Sequence, residues 1–236
     1  VVLCRLLLFF FFLILFGDLR YLHYPLRRQL QMCIREQLLS KNCKLIVVAC
    51  NTATTNAIDY LRATYSVPFI GIEPAIKPAA LKTKTDAIGI LATKGTLTSE
   101  LFSKTTNLFA SNIKVVEQIG DGIVELIESG NLYSEEMKLL LKVYLEPMIK
   151  ADIDYLVLGC THYPYLIPLL LEILPKHVKI IDSGEAVARQ TKAVLEKHIL
   201  LNSETRYSKN EFYTNGAPEV MTQLLGKHFV VDYLDF

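Results

Sequence analysis

Two cysteines in this chain end apolar runs and are followed at once by hydrogen-bonding side chains: Cys50 in VVACNTA (47–53) and Cys160 in LGCTHYP (158–164). A single cysteine after an apolar run is usually a small core residue. Two of them, each trailed by Asn-Thr or Thr-His, point to chemistry instead. If both sit at strand-to-helix turns, each lies at a helix N-terminus, with unpaired N–H groups and a partial positive charge. That setting lowers a thiol pKa and binds carboxylates. Two opposed thiols suit one reaction well. One thiolate takes a proton from a carbon acid while the other thiol donates a proton to the opposite face. The stereocentre inverts without a cofactor. A thiol titrates at ~8.5 in the absence of perturbation, near enough to neutrality for both roles. His162, two residues after Cys160, can hold or receive a proton there.

The elements that must position these groups are legible in the hydrophobic pattern. Strands are predicted over 44–50, 67–72, 86–92, 113–119, 154–160, 178–182 and 211–215. Helices are predicted over 51–65, 74–82, about 96–109, 122–130, about 134–150, 164–174, 184–199 and 217–226, the last of these closing the chain. Such alternation, with near-continuous apolar strands, means a parallel sheet covered on both faces. In open sheets of this kind ligands bind beyond the carboxyl ends of the strands, and both cysteines fall there. KLIVVACNTATTNAI can be laid on DYLVLGCTHYPYLIP, and VPFIGIEPAI on VKIIDSGEAV, at offsets of 110–111 positions. Two matched pairs at nearly one offset imply two similarly folded α/β lobes. If the lobes face each other, two thiols flank one small pocket.

Composition limits the alternatives. The 236 residues suit one large domain or two small ones, and 51% are hydrophobic, enough for a sizeable core. A net charge of +1 gives no electrostatic footprint for nucleic acid. The five cysteines are irregularly spaced, which argues against a disulfide framework and fits free thiols in a reducing compartment. There is no CxxC pair and the histidines are scattered, so no metal is expected. No GxGxxG or Walker-type loop follows a strand, so no nucleotide site is expected. Cys4, Cys33 and Cys43 lack the context of the other two and read as structural or incidental. Residues 6–16 form an uninterrupted apolar run. It is shorter than the ~20 residues that span a bilayer, so no membrane partner is expected. It reads as a buried strand with abnormal flanks or as the product of a damaged reading frame, rather than as a signal peptide.

VACNTA and LGCTHYP together resemble the glutamate racemase family, within the wider aspartate/glutamate racemase superfamily. The resemblance is read from residue 44 to about 226. GIEPA (71–75), ATKGTLTS (92–99), LIESG (126–130) and IDSGEA (181–186) also look like its landmarks. CNTA alone would indicate only the superfamily; the histidine of GCTHYP points to the glutamate branch. The resemblance implies an α/β fold of two pseudo-symmetric, doubly wound lobes with mostly parallel sheets and the active site between them. The chain would cross over near GIEPA and return near IDSGEA, giving a first lobe of 1–73 plus 187–236 and a second of 74–186. It also implies cofactor-independent interconversion of L- and D-glutamate in the cytoplasm, supplying peptidoglycan synthesis, with the small-molecule substrate as partner and homodimerisation left open. Cys50 would work on D-glutamate and Cys160 on L-glutamate, with His162 assisting Cys160. Asn51, Thr52, Thr96, Thr161 and His162 would hold the substrate. Glu128 is a candidate auxiliary group on the Cys160 side, or simply a solvated helix residue, and Glu73 is expected to shape the lobe junction. The alternatives are a racemase of another amino acid such as aspartate, and a catalytically impaired chain.

The last alternative rests on a departure from the family pattern. The family's Asp-Ser-Gly-x-Gly-Gly turn and Pro-Tyr-Gly stretch do not precede Lys44. LFGD (15–18) resembles the segment just upstream of Pro-Tyr-Gly, and codons for the Pro-Leu-Arg-Arg of YPLRRQ (24–29), shifted by one base, can read Pro-Tyr-Gly. Without those motifs Cys50 would lose its carboxylate partner and turnover would be severely impaired. Neither Asp18 nor Asp182 is assigned that role.

Overall fold

The computed structural model describes residues 41–201 and 210–234. The strand expected over 6–16, Cys4, Cys33, and the LFGD and YPLRRQ stretches lie outside the described residues. Two compact units divide the chain, with boundaries at Ile72/Glu73 and Ser183/Gly184.

In the first unit, β1 (Ile46–Val48) pairs in parallel with β2 (Phe69–Gly71), and α1 (Asn51–Thr64) connects them. Ala53, Ala57, Ile58 and Leu61, at helical spacing, are the buried apolar face of α1. Thr54, on the same face, ties three elements together. Its buried hydroxyl donates to the Val48 carbonyl at 3.1 Å and accepts from the Ile72 amide at 3.0 Å. The helix start is thereby locked to the carboxyl ends of both strands. The unit continues with α8 (Gly184–Lys197), β7 (Phe212–Thr214), α9 (Pro218–Leu225) and β8 (Val231–Tyr233), with β7 and β8 parallel. The strand after the last helix corrects the expectation that the helix closes the chain. Three residues are too few for alternation to register as a period.

The second unit is a four-stranded, all-parallel sheet in the order β4-β3-β5-β6, formed by β3 (Ala87–Ala92), β4 (Lys114–Ile119), β5 (Tyr155–Gly159) and β6 (Lys179–Ile181). Every residue of the central strands β3 and β5 is buried, as their unbroken apolar runs demand. Alternation divides β3 between two layers. Ile88, Ile90 and Ala92 join one core with α2 (Ile76–Lys82) and α4 (Glu100–Phe109), through Ile76, Ala79 and Phe102. Gly89 points the other way, at Met148 of α6 (Glu135–Lys150). The expected helix over 96–109 is two helices, α3 (Lys94–Leu97) and α4, because Ser99 caps the second by accepting from the Phe102 amide at 3.2 Å. The remaining helices are α5 (Ile123–Glu128) and α7 (Ile167–Ile173). A 3₁₀ turn, Tyr163–Leu166, precedes α7. Pro164 and Pro168 lack the N–H groups that would extend α7 backward.

Asp154, just before β5, fastens the far end of this sheet. Its carboxylate accepts from the Thr83 hydroxyl at 2.7 Å and the Lys84 amide at 2.6 Å. Burial alone would raise its pKa, but these hydrogen bonds hold it below the ordinary aspartate value. A depressed folded-state pKa adds stability that is complete above the unfolded value of ~3.9 and fades as pH falls through the lower folded value. Asp154→Asn is therefore expected to lower the urea midpoint at pH 7. The gap to the parent should close as pH drops below ~4. A gap that stays constant down to pH 2 would show that the carboxylate charge is irrelevant.

Candidate active site

Each cysteine turn is built locally, and the two are built differently. Cys50 is the N-cap of α1, with extended backbone (φ −145°, ψ 119°), and its sulfur accepts from the Ala53 amide at 3.4 Å. Burial pushes this thiol up, against the opposing amide N–H groups of Ala53 and Thr52. The expectation that the helix N-terminus lowers the thiol is corrected here: loss of water costs the thiolate more than the amides return. Asn51, the first residue of the helix, is 3% exposed, and its Oδ1 has no hydrogen-bond partner among the described residues. A buried amide oxygen left this way is costly and is the kind of atom that a ligand donor satisfies. Thr52 follows, half-buried.

Cys160 does not cap an α-helix. It is followed by the Thr161-His162 turn, closed by the Tyr163 amide donating to the Cys160 carbonyl at 3.2 Å, and then by the 3₁₀ turn. The turn folds His162 back over its own cysteine. His162 Nδ1 lies 3.7 Å from Cys160 Sγ, and His162 Nε2 lies 3.1 Å from Glu128 Oε1 at the end of α5. The histidine and glutamate side chains are only 13% and 15% exposed. A carboxylate only accepts, so Nε2 donates to Glu128, and in the neutral imidazole Nδ1 keeps a lone pair toward the thiol. This is a carboxylate–imidazole–thiol chain, and it joins three of the sequence-derived candidates. Glu128, 34 positions from His162, is half-buried rather than solvated.

Sheet order places this chain where a ligand is expected. From β3 the path runs outward to β4 and then returns past β3 to β5, so the winding reverses between β3 and β5. Ligands bind at such a switch point, beyond the carboxyl ends. Ala92 and Gly159 are register partners, which sets the next residues, Thr93 and Cys160, side by side at that edge. Only glycine fits at 159, since a Cβ there would lie 2.6 Å from that of Ala92. Thr96 is fully buried and its hydroxyl meets that of Thr93 at 3.1 Å. The half-exposed residue at the strand end is thus Thr93, with Thr96 behind it. Thr93 lies within the ATKGTLTS landmark but is not among the sequence-derived site candidates, although it directly follows the strand predicted over 86–92, the position the strand-end rule marks. Thr161 is half-buried at the apex of the Cys160 turn. Glu73 is exposed, and its carbonyl accepts from the Ser183 hydroxyl. Among the described residues no group of three or more His, Cys, Asp or Glu side chains could hold a metal ion, and no helix is long and apolar enough to cross a membrane.

Comparison with known proteins places these residues in context. The family described as Asp/Glu/Hydantoin racemase matches residues 27–191, beginning upstream of Lys44. A glutamate racemase from Herpetosiphon aurantiacus is 46% identical over 181 residues, 77% of this chain and 71% of that protein. One from Stutzerimonas stutzeri is 39% identical over 224 residues, 89% of this chain and 84% of that protein. Among solved structures, Escherichia coli glutamate racemase, in complex with L-glutamate and the activator UDP-MurNAc-ala, superposes with a TM-score of 0.77 at 29% identity. It covers 93% of this chain and 86% of its own.

Proposed function

Since the chain belongs to the Asp/Glu/hydantoin racemase family and is an amino-acid racemase of the glutamate type, we propose that it inverts glutamate with Cys50 and Cys160 as its two proton-transfer groups. The observation that carries this reading is the Cys160–His162–Glu128 chain at the switch point of the second sheet. In the L-to-D direction His162 takes the proton of Cys160, and Glu128 steadies the resulting imidazolium. The Cys160 thiolate removes the α-proton of L-glutamate. Cys50, which burial keeps as a thiol, delivers its proton to the opposite face of the same carbon. Afterwards Cys50 is the thiolate and the Cys160 side carries the extra proton, so the protein is set for the reverse reaction. No cofactor enters the scheme. The unpartnered Asn51 Oδ1 accepts from the substrate α-ammonium. Thr52, Thr161 and Thr93, the last backed by Thr96, donate to its carboxylates. The D-glutamate formed serves peptidoglycan synthesis in the cytoplasm.

The experiment is to incubate the purified chain separately with L-glutamate, D-glutamate and both aspartate enantiomers, with chelator and no added cofactor. Circular dichroism follows the loss of optical activity. Glutamate is expected to racemise from both sides toward zero ellipticity, slowly if the absent Asp-Ser-Gly turn impairs Cys50, and aspartate to stay optically active. Faster inversion of aspartate than of glutamate would overturn the substrate assignment.

A further inference from the structure

We propose that Tyr163 is a positioning residue: its hydroxyl holds the Gly120 carbonyl and thereby sets helix α5 so that Glu128 reaches His162. This rests on the reading of Cys160, His162 and Glu128 as a proton-transfer chain. Tyr163 directly follows His162, is fully buried, and donates to the Gly120 carbonyl at 3.2 Å. Gly120 opens the turn that launches α5. Its amide donates to the Ala92 carbonyl at 3.0 Å, anchoring the turn to β3. Gly122, at φ +78°, then caps the helix, in the left-handed region that glycine enters most freely. Only six residues later the helix ends at Glu128.

A helix this short cannot hold its own geometry and takes its placement from its anchors. The Cys160 turn grips it at both ends, through Tyr163 on Gly120 and through His162 on Glu128. A second hydroxyl supports the same turn: Tyr144 on α6 donates to the Asp121 carbonyl at 3.0 Å. Position 120 must be glycine, because a Cβ there would collide with the Tyr163 hydroxyl. Burial, with the Cys160 sulfur nearby, pushes the phenol well above its usual range, so it remains a donor. A tyrosine serving only to fill the core would need no hydroxyl. Here the hydroxyl shares the buried Gly120 carbonyl with the Ile123 amide, which donates to it at 3.4 Å, so the tyrosine grips the first turn of α5 at its start.

The test compares Tyr163→Phe, Glu128→Gln, their combination and Tyr144→Phe, all in the full chain. The enantiomers have equal free energy, so any variant must lower kcat/KM equally in the two directions; the informative readouts are kcat for L-glutamate and its split from KM. Tyr163→Phe is expected to lower kcat about tenfold with KM within about twofold, since small misplacements of a reacting group are costly. Added to Glu128→Gln, it should lower kcat no further, because both changes break one linkage. Tyr144→Phe should act in the same direction, by about threefold, and should likewise add nothing to Glu128→Gln. It also serves as the working variant if Tyr163→Phe does not fold. Parental kcat in Tyr163→Phe, or in Tyr144→Phe should it be needed, overturns the proposal, as does a multiplicative loss in the combination. If Glu128→Gln itself turns over like the parent, the reading of the site fails and this inference with it. If Glu128→Gln is slow and Tyr163→Phe is not, only the inference fails.

Discussion

Replacing either Cys50 or Cys160 with serine is expected to remove racemisation of both glutamate enantiomers while leaving the fold in place. At position 50 the change is gentle to the backbone. Serine is a preferred N-cap, and its oxygen can accept from the Ala53 amide as the sulfur does at 3.4 Å. The chemistry does not survive the exchange. A thiol ionises at ~8.5 when unperturbed, whereas a serine hydroxyl is far too weak an acid to serve as base or donor near neutrality. Each acid–base group contributes ~10²–10⁴-fold. In the proposed scheme both transfer protons to one carbon, so losing both should cost little more than losing either. Deuterium oxide separates their roles. With Cys160 intact, Cys50→Ser should still exchange the α-proton of L-glutamate for deuterium without inverting it. Cys160→Ser should do so with D-glutamate. Either variant racemising glutamate at near-parental turnover would sink the assignment of two proton-transfer thiols.

His162→Asn is expected to lower kcat by about 10²-fold, at the lower end of what acid–base assistance contributes, with a much smaller change in KM. The asparagine can still hydrogen-bond, but it cannot take the thiol proton. Glu128→Gln should cost less, about tenfold, because it keeps an oxygen for His162 Nε2 and loses only the charge that stabilises an imidazolium. The two changes should not multiply when combined, since the carboxylate acts only through the imidazole, 3.1 Å away. Stopped-flow circular dichroism with each enantiomer checks this. Parental kcat in His162→Asn would mean that the 3.7 Å approach of its Nδ1 to Cys160 is packing alone. A large rise in KM with kcat intact would make His162 a binding group.

By itself the sequence determined the alternation of strands and helices, the placement of both cysteines after apolar strands, and the pairing of Cys160 with His162. These are local properties. A buried strand declares itself by an unbroken apolar run, and a histidine two residues from a cysteine is within reach by chain length alone. Boundaries drifted where short-range chemistry intervened, as when Ser99 split one expected helix into two and the prolines tightened the start of α7. What only the tertiary structure decided is which distant residues share an edge. Parallel crossovers return the chain to the same side of a sheet after tens of residues. That is how Thr93 comes to lie beside Cys160, Glu128 beneath His162, and Tyr163 on Gly120. No periodicity encodes those meetings, because each is fixed by strand order and register. The state of the Cys50 thiol was likewise beyond the sequence. The helix N-terminus that favours its thiolate is visible in the pattern, but the burial that outweighs it exists only once the surrounding elements have packed around a thiol that stays partly exposed.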